Sequence, residues 1–227
     1  MSWAMMPGPG VKAYAAAPSG PTYIGSTGTG GYGGATVSSI TIPAGAAAGD
    51  LVLLLMNSNN TSTWTPPAGS TDAIPGGSPY FVLNVRTYAS IYTLTSSDIT
   101  AGTLSFTAGA SKTAWSVMGV FVRGATSVNA YNPTNQNSTS YTIPGVTTTA
   151  TAVLVAMVGA YNYSEGITIN AISGYTLGID QPSTGKAAGR VHAAAYYEVQ
   201  SSAGASGNVS GTYSPSCASN AILFALA

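Results

Sequence analysis

Residues 41–56 read TIPAGAAAGDLVLLLM, and residues 142–157 read TIPGVTTTATAVLVAM. In each stretch Thr-Ile-Pro opens a turn of small residues, and the turn runs into six apolar residues with no polar alternation. A strand with one face in water alternates apolar and polar side chains, whereas an unbroken apolar run suits a strand covered on both faces. Leu51–Met56 and Ala152–Met157 are therefore expected to be central strands of a layered β structure. Charged residues make up only 5% of the chain, so an aspartate at the mouth of its most apolar run needs a reason. Asp50 follows Gly49 in a turn, where a carboxylate accepts backbone N–H groups that the turn leaves open. Thr151 holds the matching place before the second run, where a hydroxyl does the same more weakly.

The recurrence extends beyond these two segments. Pro43 and Pro144 lie 101 residues apart, and other landmarks repeat at nearly the same offset. Trp64-Thr-Pro-Pro-Ala-Gly69-Ser70 parallels Ile172-Ser-Gly174-Tyr-Thr176. IYTLTSSDITAGTLSFT at 91–107 parallels YYEVQSSAGASGNVSGT at 196–212, and the halves close on WSVMGVFVRGA and NAILFALA. A unit of about a hundred residues with one apolar face gains by burying it against its twin. Short candidate strands separated by Gly, Pro, Asn and Ser turns run the length of the chain, and helical periodicity is not sustained over any long window. The expectation is an all-β antiparallel sandwich over residues 21–227. It is built from two pseudo-repeats at about 36–126 and 138–227, and residues 1–20 form an extended N-terminal arm.

Composition narrows the function. Six Lys+Arg balance six Asp+Glu over 227 residues, for a formal charge of zero. The basic residues stand singly, so the stripe that neutralises phosphates is missing and nucleic acid is not an expected partner. Near-zero net charge favours association, which points to a homo-oligomer, with a trimer favoured. Cys217 is the only cysteine, which excludes an intrachain disulfide and a thiolate cluster; it is expected to be a small buried hydrophobe. No apolar stretch reaches the ~18 residues that span a bilayer as a helix, so no membrane partner is expected. The N-terminus lacks a basic segment before an unbroken apolar one, so use without secretion is expected.

The chemistry-bearing residues are sparse. One histidine, His192 in RVHAAAYYEV, offers no metal constellation and is expected to be packed in or at the edge of a strand. No G-x-S-x-G elbow occurs, and six acids scattered at turns make the facing carboxylate pair of a glycosidase improbable. GSTGTGGYGG at 25–34 lacks the G-K-[ST] ending of a phosphate loop and is expected to turn tightly or flex. No catalytic, metal or cofactor residue is assigned. Tyr131 in NAYNPTNQNS, and Tyr161 and Tyr163 in GAYNYSEG, are expected in recognition loops. Tyrosine beside Asn and Ser offers apolar area and hydrogen bonds at little entropy cost. Trp3, Met5 and Met6 sit on an arm broken by Pro7, Pro9 and Pro18, where they would form an exposed apolar patch suited to an interface.

Together, P-A-G…G-D-L-V at 43–52, the P-P-A-G-S turn at 66–70, A-G-T-L-S-F at 101–106 and W-S-V…F-V-R-G at 115–124 resemble a known domain. It is the β-sandwich (jelly-roll-like) domain of tailed-phage virion proteins, found in head decoration proteins, head fibres and tail-fibre modules. The resemblance covers Pro21 to Ala227. In the second half the pattern departs, with Ala150-Thr151 in place of Gly-Asp and a turn reduced to Ile172-Ser-Gly-Tyr. The resemblance implies a structural or adhesive role in a virion, with no enzyme activity and no cofactor. The leading expectation is a capsid decoration or cement protein at the capsid surface. It would be attached through its arm to the major capsid protein and to neighbouring copies of itself. The alternative is a carbohydrate-binding adhesin or tail-fibre module.

Overall fold

A computed structural model of the chain describes residues 20–33, 36–59, 63–74, 80–82, 85–109, 113–163, 166–184 and 190–227. Trp3, Met5 and Met6, and with them residues 1–19 of the expected arm, lie outside the described residues. The first half contains β1 (Thr22–Tyr32), β2 (Thr36–Thr41), β3 (Leu51–Asn59), β4 (Thr63–Thr65), β5 (Thr71–Asp72), β6 (Tyr80–Val82) and β7 (Val85–Thr93). A short helix, α1 (Ser96–Ala101), then leads to β8 (Thr103–Gly109) and β9 (Ala114–Arg123). The second half contains β10 (Val128–Ile143), β11 (Thr147–Thr148), β12 (Ala152–Tyr161), β13 (Thr168–Ile169) and β14 (Thr176–Pro182). It ends with β15 (Val191–Gln200), β16 (Gly204–Ala205) and β17 (Val209–Leu226).

The all-β sandwich expected from the sequence is what the chain forms, and its strand order displays the repeat. One large sheet runs β1-β9-β3-β7-β5 and the other runs β10-β17-β12-β15-β14, all antiparallel. Each strand of the first order has its counterpart at the same place in the second. A smaller layer covers the outer face of each. In the first half it is β2-β8-β4. In the second half the same pairings are made by the far ends of β10 and β17, Ser140–Ile143 against Val209–Thr212, with β13 on β17. The 18-residue β17 thus does the work of β8 and β9 joined, and β10 that of β1 and β2. In both halves the large sheet sets the first strand beside the last and the last beside the third, with a companion sheet opposite, which is jelly-roll-like wiring.

Two turns hold the repeat in register. Ser70 N–H bonds to the Pro67 carbonyl and Tyr175 N–H to that of Ile172, each closing a four-residue turn. The third residues, Gly69 and Gly174, have φ of 91° and 83°, a left-handed conformation that glycine takes without steric cost. Each turn then delivers an edge strand, β5 or β14, to its large sheet.

The layers explain the apolar runs. Leu51, Leu53 and Leu55 of β3 face Val153, Val155 and Met157 of β12 in a central cluster that also takes Val120, Ala195, Ile222 and Phe224. The alternate residues of β3, Val52, Leu54 and Met56, point the other way into a cluster with Ile40, Leu104, Phe106 and Phe121. On the second half Leu154, Ala156 and Val158 pack with Tyr141, Ile143, Ile169 and Tyr213. Four sheet layers therefore enclose three cores, and β3 and β12 are buried on both faces. The strands β1 and β14, at opposite ends of their sheet orders, pack together across the central layer, and β1 also reaches the neighbouring β15, where the Tyr23 and Tyr197 rings stack at 3.6 Å. That pairing of unlike edges is the arrangement two-fold-related halves produce.

Three segments differ from the sequence reading. GSTGTGGYGG was expected to turn or flex, but its residues Gly25–Tyr32 belong to β1. Its glycines allow close approach, since a Cβ at Gly31 would collide with the Trp115 ring and one at Gly28 with Ile179. NAYNPTNQNS, expected to be a loop, is strand from Val128 onward, so Tyr131 is a half-buried strand residue packed on the central core. The helix α1 was not anticipated. It is held by a capping box in which Asp98 N–H bonds to the Thr95 hydroxyl and Thr95 N–H to the Asp98 carboxylate, and it ends at Gly102 with φ 69°.

Candidate functional site

The strands of both large sheets run between two poles. Their first pole carries Thr22, Asp50, Arg123, Ala152 and Gln200; the second carries Tyr32, Asn59, Ala114, Tyr161 and Val191. Asp50 is buried at the first pole, 3% exposed, and accepts from the Ala47 backbone N–H at 2.7 Å, as its turn position led us to expect. Its carboxylate also takes both the Nε–H and an Nη–H of Arg123, at 3.0 and 2.9 Å. This fork-to-carboxylate pair ties the entry of β3 to the exit of β9, and the carboxylate raises the guanidinium pKa further above its ordinary value. Asp50 is thereby a structural anchor. Gly20, the last residue of the expected arm, packs beside Thr151 at this same pole.

The second pole holds the site. Where β12 ends, Tyr161, Asn162 and Tyr163 meet Asn137 of β10 and Ser216 and Cys217 of β17 around a cleft of about 330 Å³. The two Asn-, Ser- and Tyr-rich stretches singled out in the sequence thus converge, but through Asn137 and not Tyr131. Asn162 fixes the floor, with its backbone N–H bonded to the Arg190 carbonyl and its side-chain Nδ2 to that of Ser216 at 3.0 Å. Tyr161 is 5% exposed and packs with Val85, Ala114 and Val191. Burial pushes its hydroxyl up to about 12, with the neighbouring Tyr163 adding to the shift. Tyr163 lies edge-on to it, with ring centroids 4.8 Å apart and planes at 66°, yet is 64% exposed. Tyr161 is the support and Tyr163 the presented ring.

Cys217 lines the cleft but is only 3% exposed, and burial pushes its thiol up to about 12. It is a buried hydrophobe and not a nucleophile at neutral pH. His192, in β15, is buried, with one ring nitrogen bonded to the Ile167 carbonyl and the other to Asp180 of the neighbouring strand β14. It fastens an edge strand and a loop to the sheet. Among the described residues no group of three or more His, Cys, Asp or Glu converges on a point that could hold a metal, and no helix is long and apolar enough to cross a membrane.

Polar residues are also buried between the two large sheets. The Thr87 hydroxyl donates to Asn57 Oδ1 at 2.7 Å and Asn220 Nδ2 donates to the Thr87 oxygen at 3.0 Å. This chain links β3 and β7 of one sheet to β17 of the other. Gly159 of β12 faces Asn57 so closely that a Cβ there would collide with the amide. In an otherwise apolar layer, such a cluster fixes how the sheets are aligned, because sliding them would strand buried polar groups.

No protein-family model matches the chain, and comparison with curated proteins and with solved structures finds no match.

Proposed function

We propose that this chain is a non-enzymatic structural protein of a tailed-phage virion, decorating the capsid surface. Residues 1–20, with Trp3, Met5 and Met6, are its anchor on the major capsid protein, and neighbouring copies complete the attachment as a homo-oligomer, a trimer being favoured. The observation that carries this reading is the polarity of the double sandwich. Gly20 leaves from the pole of Asp50 and Thr151, while Tyr163 stands at the opposite pole, about 30 Å away for strands of ten residues. An anchor at one end and a presented cleft at the other suit a protein that is held by a surface and faces outward. The sequence resemblance to virion sandwich domains and the near absence of charge support the same role.

Removal of residues 1–20 tests it. Particles purified without the protein are mixed with the full chain or with the truncated one, and attachment is read by sedimentation. The full chain is expected to co-sediment, and the truncated chain to fold but stay in the supernatant. Equal co-sedimentation of both would overturn the anchor, and failure of the full chain to co-sediment would overturn the virion role.

A further inference from the structure

We infer that the cleft at the second pole is a binding site for a neutral saccharide, with the Tyr163 ring as its stacking platform. Three features of the cleft carry this. Its ring is presented and not buried: Tyr163 is 64% exposed, and its edge-on contact with Tyr161 fixes its position while leaving ring surface to solvent. A large aromatic held in place by a buried one and left facing a cavity is a platform for a ligand with an apolar face. A pyranose ring, with its patch of C–H groups, has that face.

The polar groups around the ring are amides, carbonyls and hydroxyls. Asn137 offers a side-chain amide with both donor and acceptor capacity, and Asn162 and Ser216 add theirs, already oriented by the 3.0 Å bond between them. Hydroxyls that both donate and accept are the complementary chemistry. Among the described residues that line the cleft there is neither a carboxylate nor an ammonium, and the ligand chemistry this favours is uncharged, because a buried charge is stabilised only by a partner beside it. The volume of about 330 Å³ falls at the small end of ligand sites, the size for one or two sugar rings. The tight contact of Tyr161 with its neighbours and the bonding of Asn162 across to β17 mean the site is formed before any ligand arrives, so little binding energy is lost to ordering it.

The saccharide site does not depend on the virion role, because it is read on the purified chain alone. An array of immobilised neutral glycans and their sialylated and sulfated counterparts is probed with the full chain, and hits are followed by saturation-transfer NMR with the free sugar. At least one neutral glycan is expected to bind, with the strongest transfer to the C–H face of one ring. Tyr163→Ala should weaken it by about two- to tenfold, the value of an aromatic contact, while Tyr163→Phe keeps most of it. Thermal melting of each variant checks the fold, which Tyr163, being exposed, should leave unchanged. Asn137→Ala gives an independent reading from a different strand and should also weaken binding. The inference is overturned if no neutral glycan binds, if only the acidic glycans do, or if a bound glycan is retained by a folded Tyr163→Ala chain.

Discussion

Replacing Gly159 with alanine should destabilise the chain, and removing the Asn57 side chain should reverse much of the loss. The two positions are 102 residues apart in sequence and meet only if the large sheets stack as described. A Cβ on Gly159 would run into the Asn57 amide, whose oxygen, carbon and nitrogen all lie within reach. Overpacking of this kind costs about 1–3 kcal/mol, offset by roughly 0.5–1 kcal/mol because alanine restricts the unfolded chain. A net loss of about 1–2 kcal/mol follows, a fall in Tm of about 2–8 °C for a chain of this length. Asn57→Ala alone forfeits the bond from Thr87, worth about 1 kcal/mol. Its Nδ2 has no hydrogen-bond partner, so that atom's removal costs little. In the double variant the new methyl occupies space the amide has left. The pair should then be more stable than the sum of the single changes by about 1 kcal/mol or more. Urea denaturation of the four proteins measures this cycle. Additivity within about 0.5 kcal/mol would mean the residues do not touch, and the stacking of the sheets would be wrong.

Other consequences follow from the same geometry. Leu53→Asp and Leu154→Asp each place an unpaired charge in a different core and should cost several kcal/mol; wild-type melting of both would refute the layer assignment. Thr95→Ala removes the α1 cap and should cost about 1 kcal/mol in chemical denaturation, whereas Thr95→Ser should cost little; equal losses would show that the cap is not what holds α1. Burial, the largest cause in each case, raises Tyr161 and Tyr196 to about 12 from 10.0, and raises Tyr141, Tyr175 and Tyr213 as well. The fold therefore favours their protonated forms. Stability should be complete below pH 10 and decline as pH rises toward 12. The tyrosinate absorbance of these five, out of fourteen tyrosines, should appear together with the loss of circular dichroism, and titration of all fourteen with the fold intact would refute that burial.

The layered architecture was legible because its signal lies in composition that burial dictates. LVLLLM and AVLVAM lack alternation because β3 and β12 have no solvent face, and Gly69 and Gly174 mark turns that demand a left-handed residue. Edge strands were harder to read. β10 borders solvent along one side, so it can carry Asn, Gln and Thr, and even Pro133, without loss of buried bonds; its polarity read as a loop. The glycines of β1 look like flexibility until Trp115 and β14 are seen pressed against them. The signal for α1 was present in Thr95-Ser-Ser-Asp98, a capping pattern, but one turn and a half is too short for periodicity. Of the site, Tyr161, Tyr163 and the Asn-rich stretches were legible from residue type. Asn137 and Ser216 come to them only through the β10–β17 pairing, which runs across some eighty residues of sequence.

The proposed virion role is tested most directly by quantitative mass spectrometry of particles purified from lysates of the cells in which the gene is found. The expected result is a copy number in a fixed small-integer ratio to the major capsid protein, as a decoration protein set on a lattice requires. Absence from the particle, or only a handful of copies as at a tail tip, would contradict it.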